Sequence, residues 1–213
     1  MAQQLSPESE QYLQQLESAI LHAASTGSAE SSHRLDVERC QSADGLAGAC
    51  LEILRRRGWG NVESNGQGVA QHDAVAFYAL TTLQRSPLLS CLPPAATPPN
   101  NFAALRNQLR HLILTTISHV TNLQSMPNFV STKVGVILAL LVREEYPVEW
   151  TSPLRDVLNA LNLSSLDGNI TLDKMASVGM YLSFLDAISD EIVYPAADET
   201  DGSKTNNQRA RIR

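Results

Sequence analysis

The stretch FVSTKVGVILALLVREEYPVEWTSPLRDVL, Phe129 to Leu158, decides the fold. From Phe129 to Glu145 it is apolar nearly all round, the pattern of a helix covered by neighbours on several sides. Pro147 ends that helix, because proline brings no backbone donor. A second, amphipathic helix is predicted over Trp150 to Leu163, with Leu154, Val157, Leu158 and Leu161 on its apolar side. Pro153 falls in its first turn, where a missing N–H costs nothing. Two helices joined by a few residues form a hairpin, and a helix as apolar as the first needs further helices against it.

The flanking sequence supplies them. From Phe102, the residues Leu105, Leu109, Leu112, Ile113, Ile117 and Val120 keep one face of a helix of about five turns. Before it, Leu92 to Asn101 carries Pro93, Pro94, Pro98 and Pro99, which forbid a helix and make a stiff exposed connection. Val69 to Arg85 reads as a helix through Val69, Phe77, Leu80 and Leu83, and the Gly- and Asn-rich Trp59 to Gly68 as a loop. His33 to Arg57 is helical, with Leu46, Cys50, Ile53 and Leu54 facing inward and Gly58 as its stop. Ser6 and Pro7 open the first helix, which continues through Leu13, Leu16 and Ile20 to Gly27. On the C-terminal side Asp167 to Asn169 makes a turn. Thr171 to Val193 then follows, with Leu172, Met175, Val178, Leu182, Leu185, Ile188 and Ile192 as its expected buried stripe and Pro195 as its stop.

Successive helices with short turns and no alternating strand pattern predict an all-α fold, either a bundle or a solenoid. Pairing the helices gives units of about 40 to 50 residues, close to the length of HEAT and armadillo repeats. Residues 1–91 are read as N-terminal helical hairpins, 92–101 as a Pro-rich linker or insertion, 102–195 as further hairpins, and 196–213 as a polar segment and the start of a truncated helix. A helical array that stops without a cap is expected to leave an open apolar end.

Composition narrows the function. A net charge of -6 argues against a domain that grips nucleic acid unaided, since phosphate neutralisation needs clustered Lys and Arg. Arg209, Arg211 and Arg213 are too few for an RNA site. Cys40, Cys50 and Cys91 form no metal-ligand or disulfide spacing, so neither a zinc site nor a disulfide framework is suggested. The most apolar run, Val134 to Val142, is about half a membrane span, and no membrane partner is expected. No nucleophile elbow, phosphate loop or metal-spaced cluster appears, so no catalytic residue, metal or cofactor is expected. Gly66-Gln67-Gly68 lacks the residues of a phosphate cradle.

Residues Phe129 to Leu158 also carry a resemblance, in an aromatic at Phe129, a basic residue at Lys133 and an apolar helix over Ile137 to Leu141. Glu145 with Tyr146 makes an acidic-Tyr turn, and Trp150 and then Asp156, Val157 and Leu158 follow. In this order they resemble the helical hairpin near the N-terminus of exportins in the importin-β superfamily. The next stretch, MYLSFLDAISDEIVYPAADET from Met180 to Thr200, is similar to the tRNA exportins, the exportin-T group. Thr132, Val136 and Pro153 to Arg155 depart from the family pattern. The resemblance implies an α-α superhelix of antiparallel helical hairpins, a HEAT/armadillo-like solenoid. It further implies a receptor that binds the GTP form of Ran with its N-terminal repeats, carries tRNA in the full-length receptor, meets nucleoporins and shuttles between nucleus and cytoplasm. A receptor for protein cargo and an unrelated helical-repeat adaptor are the alternatives.

The family-motif residues Phe129, Lys133, Tyr146, Trp150 and Asp156 are expected to be mainly structural, with partner contact as the other reading. The aromatics are expected to pack the hairpin. Lys133, on an apolar helix, needs a carboxylate or a route to solvent, and Asp156 is its expected partner ahead of a contact to Ran. Arg55, Arg56 and Arg57 are expected to complement a helix dipole, and Arg143, Glu144 and Glu145 to be a solvated helix end.

Overall fold

The computed structural model describes residues 7–26, 46–57, 67–86, 88–89, 102–164 and 172–193. Among them the elements are α1 (Pro7–Thr26), α2 (Leu46–Arg57), α3 (Gln67–Arg85), α4 (Phe102–Ile117), α5 (Val120–Ser125), α6 (Asn128–Glu145), α7 (Pro153–Ala160) and α8 (Leu172–Ile188). A π-helical turn, Ser189–Val193, continues α8. The fold is all-α, a HEAT/armadillo-like array in two rows. One row runs α3, α6, α8, each helix packed on the next, with α1 against α3. The other runs α2, α4, α7, and the contacts of α2 with α3 and of α4 with α6 tie the rows together.

The reading of α6 as a covered helix holds. Val130, Val134, Ile137, Leu138, Ala139, Leu140, Leu141 and Val142 are all buried, because α3, α4 and α8 pack around them. Leu46, Cys50, Ile53 and Leu54 of α2 and Leu80 and Leu83 of α3 are buried as their spacing predicts. Tyr146 is extended, as the residue before a proline must be, and its N–H donates to Val142 O at 2.9 Å. The Tyr146–Pro147 peptide is cis. The amides of Glu149 and Trp150 both donate to Glu145 O, at 2.8 and 3.1 Å, so the chain returns at once toward α7.

Several boundaries differ from the sequence reading. α3 begins at Gln67, which takes Gly68 out of the loop and into a helix. α4 ends at Ile117 instead of continuing through Val120. There Thr116 Oγ1 donates to Leu112 O at 2.8 Å, Ser118 Oγ to Thr115 O at 2.7 Å and Asn122 Nδ2 to Thr116 O at 3.1 Å. Short polar side chains competing for backbone carbonyls end the helix, and the short α5 restarts it. α7 covers only Pro153 to Ala160, so Trp150 precedes the helix and Leu154 is exposed. Its end is a Schellman motif: Asn162 is left-handed at φ 54°, its N–H donates to Asn159 O, and that of Leu163 donates to Leu158 O, both at 3.0 Å. Residues 27–45, 58–66, 92–101 and 165–171 lie outside the described residues, and with them the glycine stops at Gly27 and Gly58, the Pro-rich connection and the Asp167 turn.

At Gly135, α6 comes close to the backbone of α8. A Cβ added to Gly135 would stand 2.9 Å from Ser183 O and 3.2 Å from Phe184 N, both backbone atoms of α8. Gly179, on α8, has nothing within 4 Å of such a Cβ. Gly135→Ala should therefore force the helices apart and destabilise by about 1–3 kcal/mol. Gly179→Ala should stabilise by roughly 0.5–1 kcal/mol through helix propensity alone. Urea denaturation of the two variants checks both signs. Equal shifts in the same direction would contradict the close approach.

Candidate functional site

Three surfaces emerge around α6 and α8. The first is the C-terminal end of α6. Trp150 is buried, and its Nε1 donates to Asp156 Oδ2 at 2.8 Å, which locks the start of α7 to the preceding turn. Arg110 of α4 lies over the Trp150 ring, 5.2 Å from its centroid. The same guanidinium pairs with Glu145, and donates to Glu149 O at 3.2 Å and to Asn107 Oδ1 at 3.0 Å. Glu145 is only 3% exposed, and burial raises its carboxyl above the usual carboxylate range although Arg110 and Arg106 pull the other way.

Arg143, Glu144 and Glu145 are thus not a solvated helix end. Arg143 Nη2 donates to Leu89 O at 2.9 Å, while its Nη1 lies 3.5 Å from Glu191 and its Nε donates to Glu144 at 3.4 Å. Arg106 donates to Leu88 O at 3.4 Å and lies 3.9 Å from Glu144; its buried Nε has no hydrogen-bond partner among the described residues. Leu88 and Leu89 are buried, so the two arginines pin the segment after α3 by its carbonyls. Arg106 and Arg110 went unmarked in the sequence reading. In the sequence they show only as two cations four residues apart on α4, with nothing to mark the acidic helix end they meet.

The second surface lies across α3 and α6. Phe129 remains 51% exposed and meets the Phe77 ring edge-on, with centroids 5.4 Å apart. One turn along α6, Lys133 Nζ donates to Gln84 Oε1 at 2.7 Å and lies 5.5 Å from the Phe77 centroid. The expected Lys133–Asp156 pair does not form, because Asp156 is committed to Trp150 on the far side of the hairpin. Burial, and then repulsion from Arg85, hold the Lys133 ammonium below its ordinary range.

The third surface is the outer side of α8. The stripe expected to be buried faces out: Met175 and Leu182 are 59% and 58% exposed, and Val178, Leu185 and Ile192 are also exposed. Ser177, Met180, Phe184 and Ala187 are buried instead. A shallow depression of about 510 Å³ follows this side, lined by Leu182, Ser183, Leu185, Asp186 and Ser189.

Of the remaining residues, Tyr146 is 57% exposed at the α6 turn. Arg55 and Arg56 pair with Glu52, and Arg56 reaches Glu10 at 2.8 Å, tying α2 to α1. That contact lowers the Glu10 carboxyl, first by hydrogen bonding and then by charge. Burial pushes the Cys50 thiol up to about 12, so it packs as an apolar group. Among the described residues no His, Cys, Asp and Glu group could hold a metal ion, and no helix is long and apolar enough to cross a membrane. Arg209, Arg211 and Arg213 lie outside the described residues.

Residues 127–213 match the family model of exportin 1-like proteins. The matched segment starts one residue before α6, takes in the α6–α7 hairpin and α8, and supports kinship of this part of the chain with the importin-β/exportin superfamily. No curated protein and no solved structure matches the chain.

Proposed function

We propose that the chain is the N-terminal array of a nuclear export receptor, one that holds Ran in its GTP form and, within the complete receptor, carries tRNA from nucleus to cytoplasm. The observation behind this reading is the exportin 1-like segment at residues 127–213, set in two rows of packed helices. Exportin-like proteins are transport receptors that bind Ran and move between nucleus and cytoplasm. In this reading residues 1–91 supply the first hairpins, 92–101 are a Pro-rich linker or insertion, 102–195 are the exportin-like hairpins and 196–213 are a polar segment and the start of a truncated helix. Work is done by surface complementarity along the rows, not by bond making, and no cofactor takes part. Nucleoporins are a further partner class.

The tRNA part of the proposal rests on the likeness of Met180 to Thr200 to the tRNA exportins. The net charge of -6 means that tRNA must be held by the whole superhelix rather than by this segment. The departures at Thr132, Val136 and Pro153 leave room for a second reading, a receptor of the same superfamily for protein cargo.

The experiment is retention of the chain on Ran locked with a non-hydrolysable GTP analogue or with GDP, each with and without tRNA. GTP-dependent retention is expected, and added retention with tRNA would favour the tRNA reading over protein cargo. A chain that is helical by circular dichroism but ignores the nucleotide state of Ran would remove the receptor reading.

A further inference from the structure

The chain carries an excess of acid overall, yet Lys133 and Arg85 place two cations on the α3–α6 surface. Lys133 contacts an amide, Gln84, and an aromatic face, Phe77, and its ammonium is paired with no carboxylate among the described residues. Arg85, exposed at the last turn of α3, is close enough to repel it. One turn before Lys133 on the same side of α6, Phe129 holds about half its surface in water, fixed edge-on against Phe77. An ammonium bonded to a neutral amide near a second cation, and beside an exposed aromatic, keeps a charge that the fold pairs with no acid among the described residues. Packing alone does not need Phe129 exposed or Lys133 without an acid.

We propose that Phe129, Lys133 and Arg85 form a docking surface for an acidic protein segment in which carboxylates flank an aromatic or aliphatic side chain. The carboxylates take the two cations and relieve their mutual repulsion, with Lys133 partly desolvated and so giving a stronger charge-assisted bond than a fully hydrated lysine. The apolar side chain covers Phe129 and extends the Phe77–Phe129 edge-to-face pair. A protein segment fits better than a nucleic acid. Phe129 could stack a base, but two cations neutralise few phosphates, and a chain of net charge -6 repels a polyanion over longer range. The surface stands on its own geometry and does not depend on the Ran or tRNA reading above.

The test is a nuclear magnetic resonance titration of the full chain with a short synthetic peptide of Asp and Glu around one Phe. Its Asn/Gln counterpart, an acidic peptide with Ala in place of Phe, and oligo(dT) serve as comparisons. The acidic Phe peptide should shift the amide signals of Phe129, Lys133 and Arg85. Its affinity should fall about tenfold in Lys133→Met, in Phe129→Ala and for the Asn/Gln peptide, weaken with salt, and be largely restored in Lys133→Arg. Lys133→Met keeps the apolar stem, so a folded variant is expected, and circular dichroism verifies it for each substitution. Equal binding of the Asn/Gln peptide, unchanged affinity in both variants, tighter binding of oligo(dT) at these residues, or no shifts up to about 5 mM peptide would each overturn the proposal.

Discussion

Arg110→Ala is expected to destabilise the chain by about 3 kcal/mol, near the lower end of the cost of stripping one partner from a buried ion pair. The lower end applies because the Arg110 side chain keeps 17% of its surface while Glu145 keeps 2%. Most of the loss comes from the carboxylate left behind, not from the bond removed. Burial already lifts the Glu145 carboxyl above its ordinary value, against the pull of Arg110 and Arg106. Without Arg110 the folded-state value climbs further while the unfolded value stays put. A raised folded value means that the folded chain holds the proton more tightly. Relative to the parent chain the charge-related deficit is therefore absent below the parent's raised folded value, opens as pH rises past it and is complete above the variant's still higher folded value. What persists in acid is the lost stacking on Trp150 and the lost bonds to Glu149 O and Asn107. Adding Glu145→Gln to Arg110→Ala should recover part of the loss at neutral pH. Urea melts of the parent chain and the two variants at about pH 4 and pH 7.5 test this. A single-variant loss that is the same at both pH values, with no recovery in the double variant, would rule the account out.

This network was the part of the molecule least legible in the sequence. Arg110 and Glu145 stand 35 residues apart, and nothing within either helix shows that α4 crosses the end of α6. Read locally, Arg143-Glu144-Glu145 is an exposed helix end, the commonest state of such a triplet. Tertiary contact reverses it, since the carbonyl of Leu89 and the guanidiniums of α4 converge on those residues. The same limit explains Lys133. The expectation that a buried ammonium finds a carboxylate was sound in general, but Asp156 lies within reach of Trp150 Nε1 and accepts its hydrogen bond instead.

The helices themselves were legible wherever one face alone was apolar. In α2, Leu46, Cys50, Ile53 and Leu54 share a face with no rival, and all are buried. Their ends were less so, because side-chain competition at Thr116, Ser118 and Asn122 and the left-handed Asn162 act over a single turn. α8 failed for a different reason. It is apolar on two sides, so both Met175-Val178-Leu182-Leu185 and Met180-Phe184-Ala187 fit helical spacing, and periodicity has no means of choosing between them. The choice is made by α6, whose bare Gly135 lets the backbone of α8 approach at Ser183 and Phe184.

Phe184→Ala should accordingly rank with the largest losses in the chain, about 3–5 kcal/mol, the cost of deleting a fully buried aromatic and leaving a cavity. Phe184 is 0% exposed, packs by its ring against Tyr181 at 6.2 Å, and follows Ser183, the backbone residue nearest Gly135. The approach of the two helices also limits relaxation: α6 and α8 already touch backbone to backbone at this level, so they cannot close further to fill the space, which keeps the cost near the upper part of the range. Leu182→Ala, two residues away on the outward side, removes a side chain that is 58% exposed and should cost less than about 1 kcal/mol. The pair of variants thus tests which of the two apolar faces of α8 is the buried one. Comparable losses at Leu182 and Phe184 in thermal or urea melts would mean that the outer face is covered too, and the orientation of α8 on α6 would have to be redrawn.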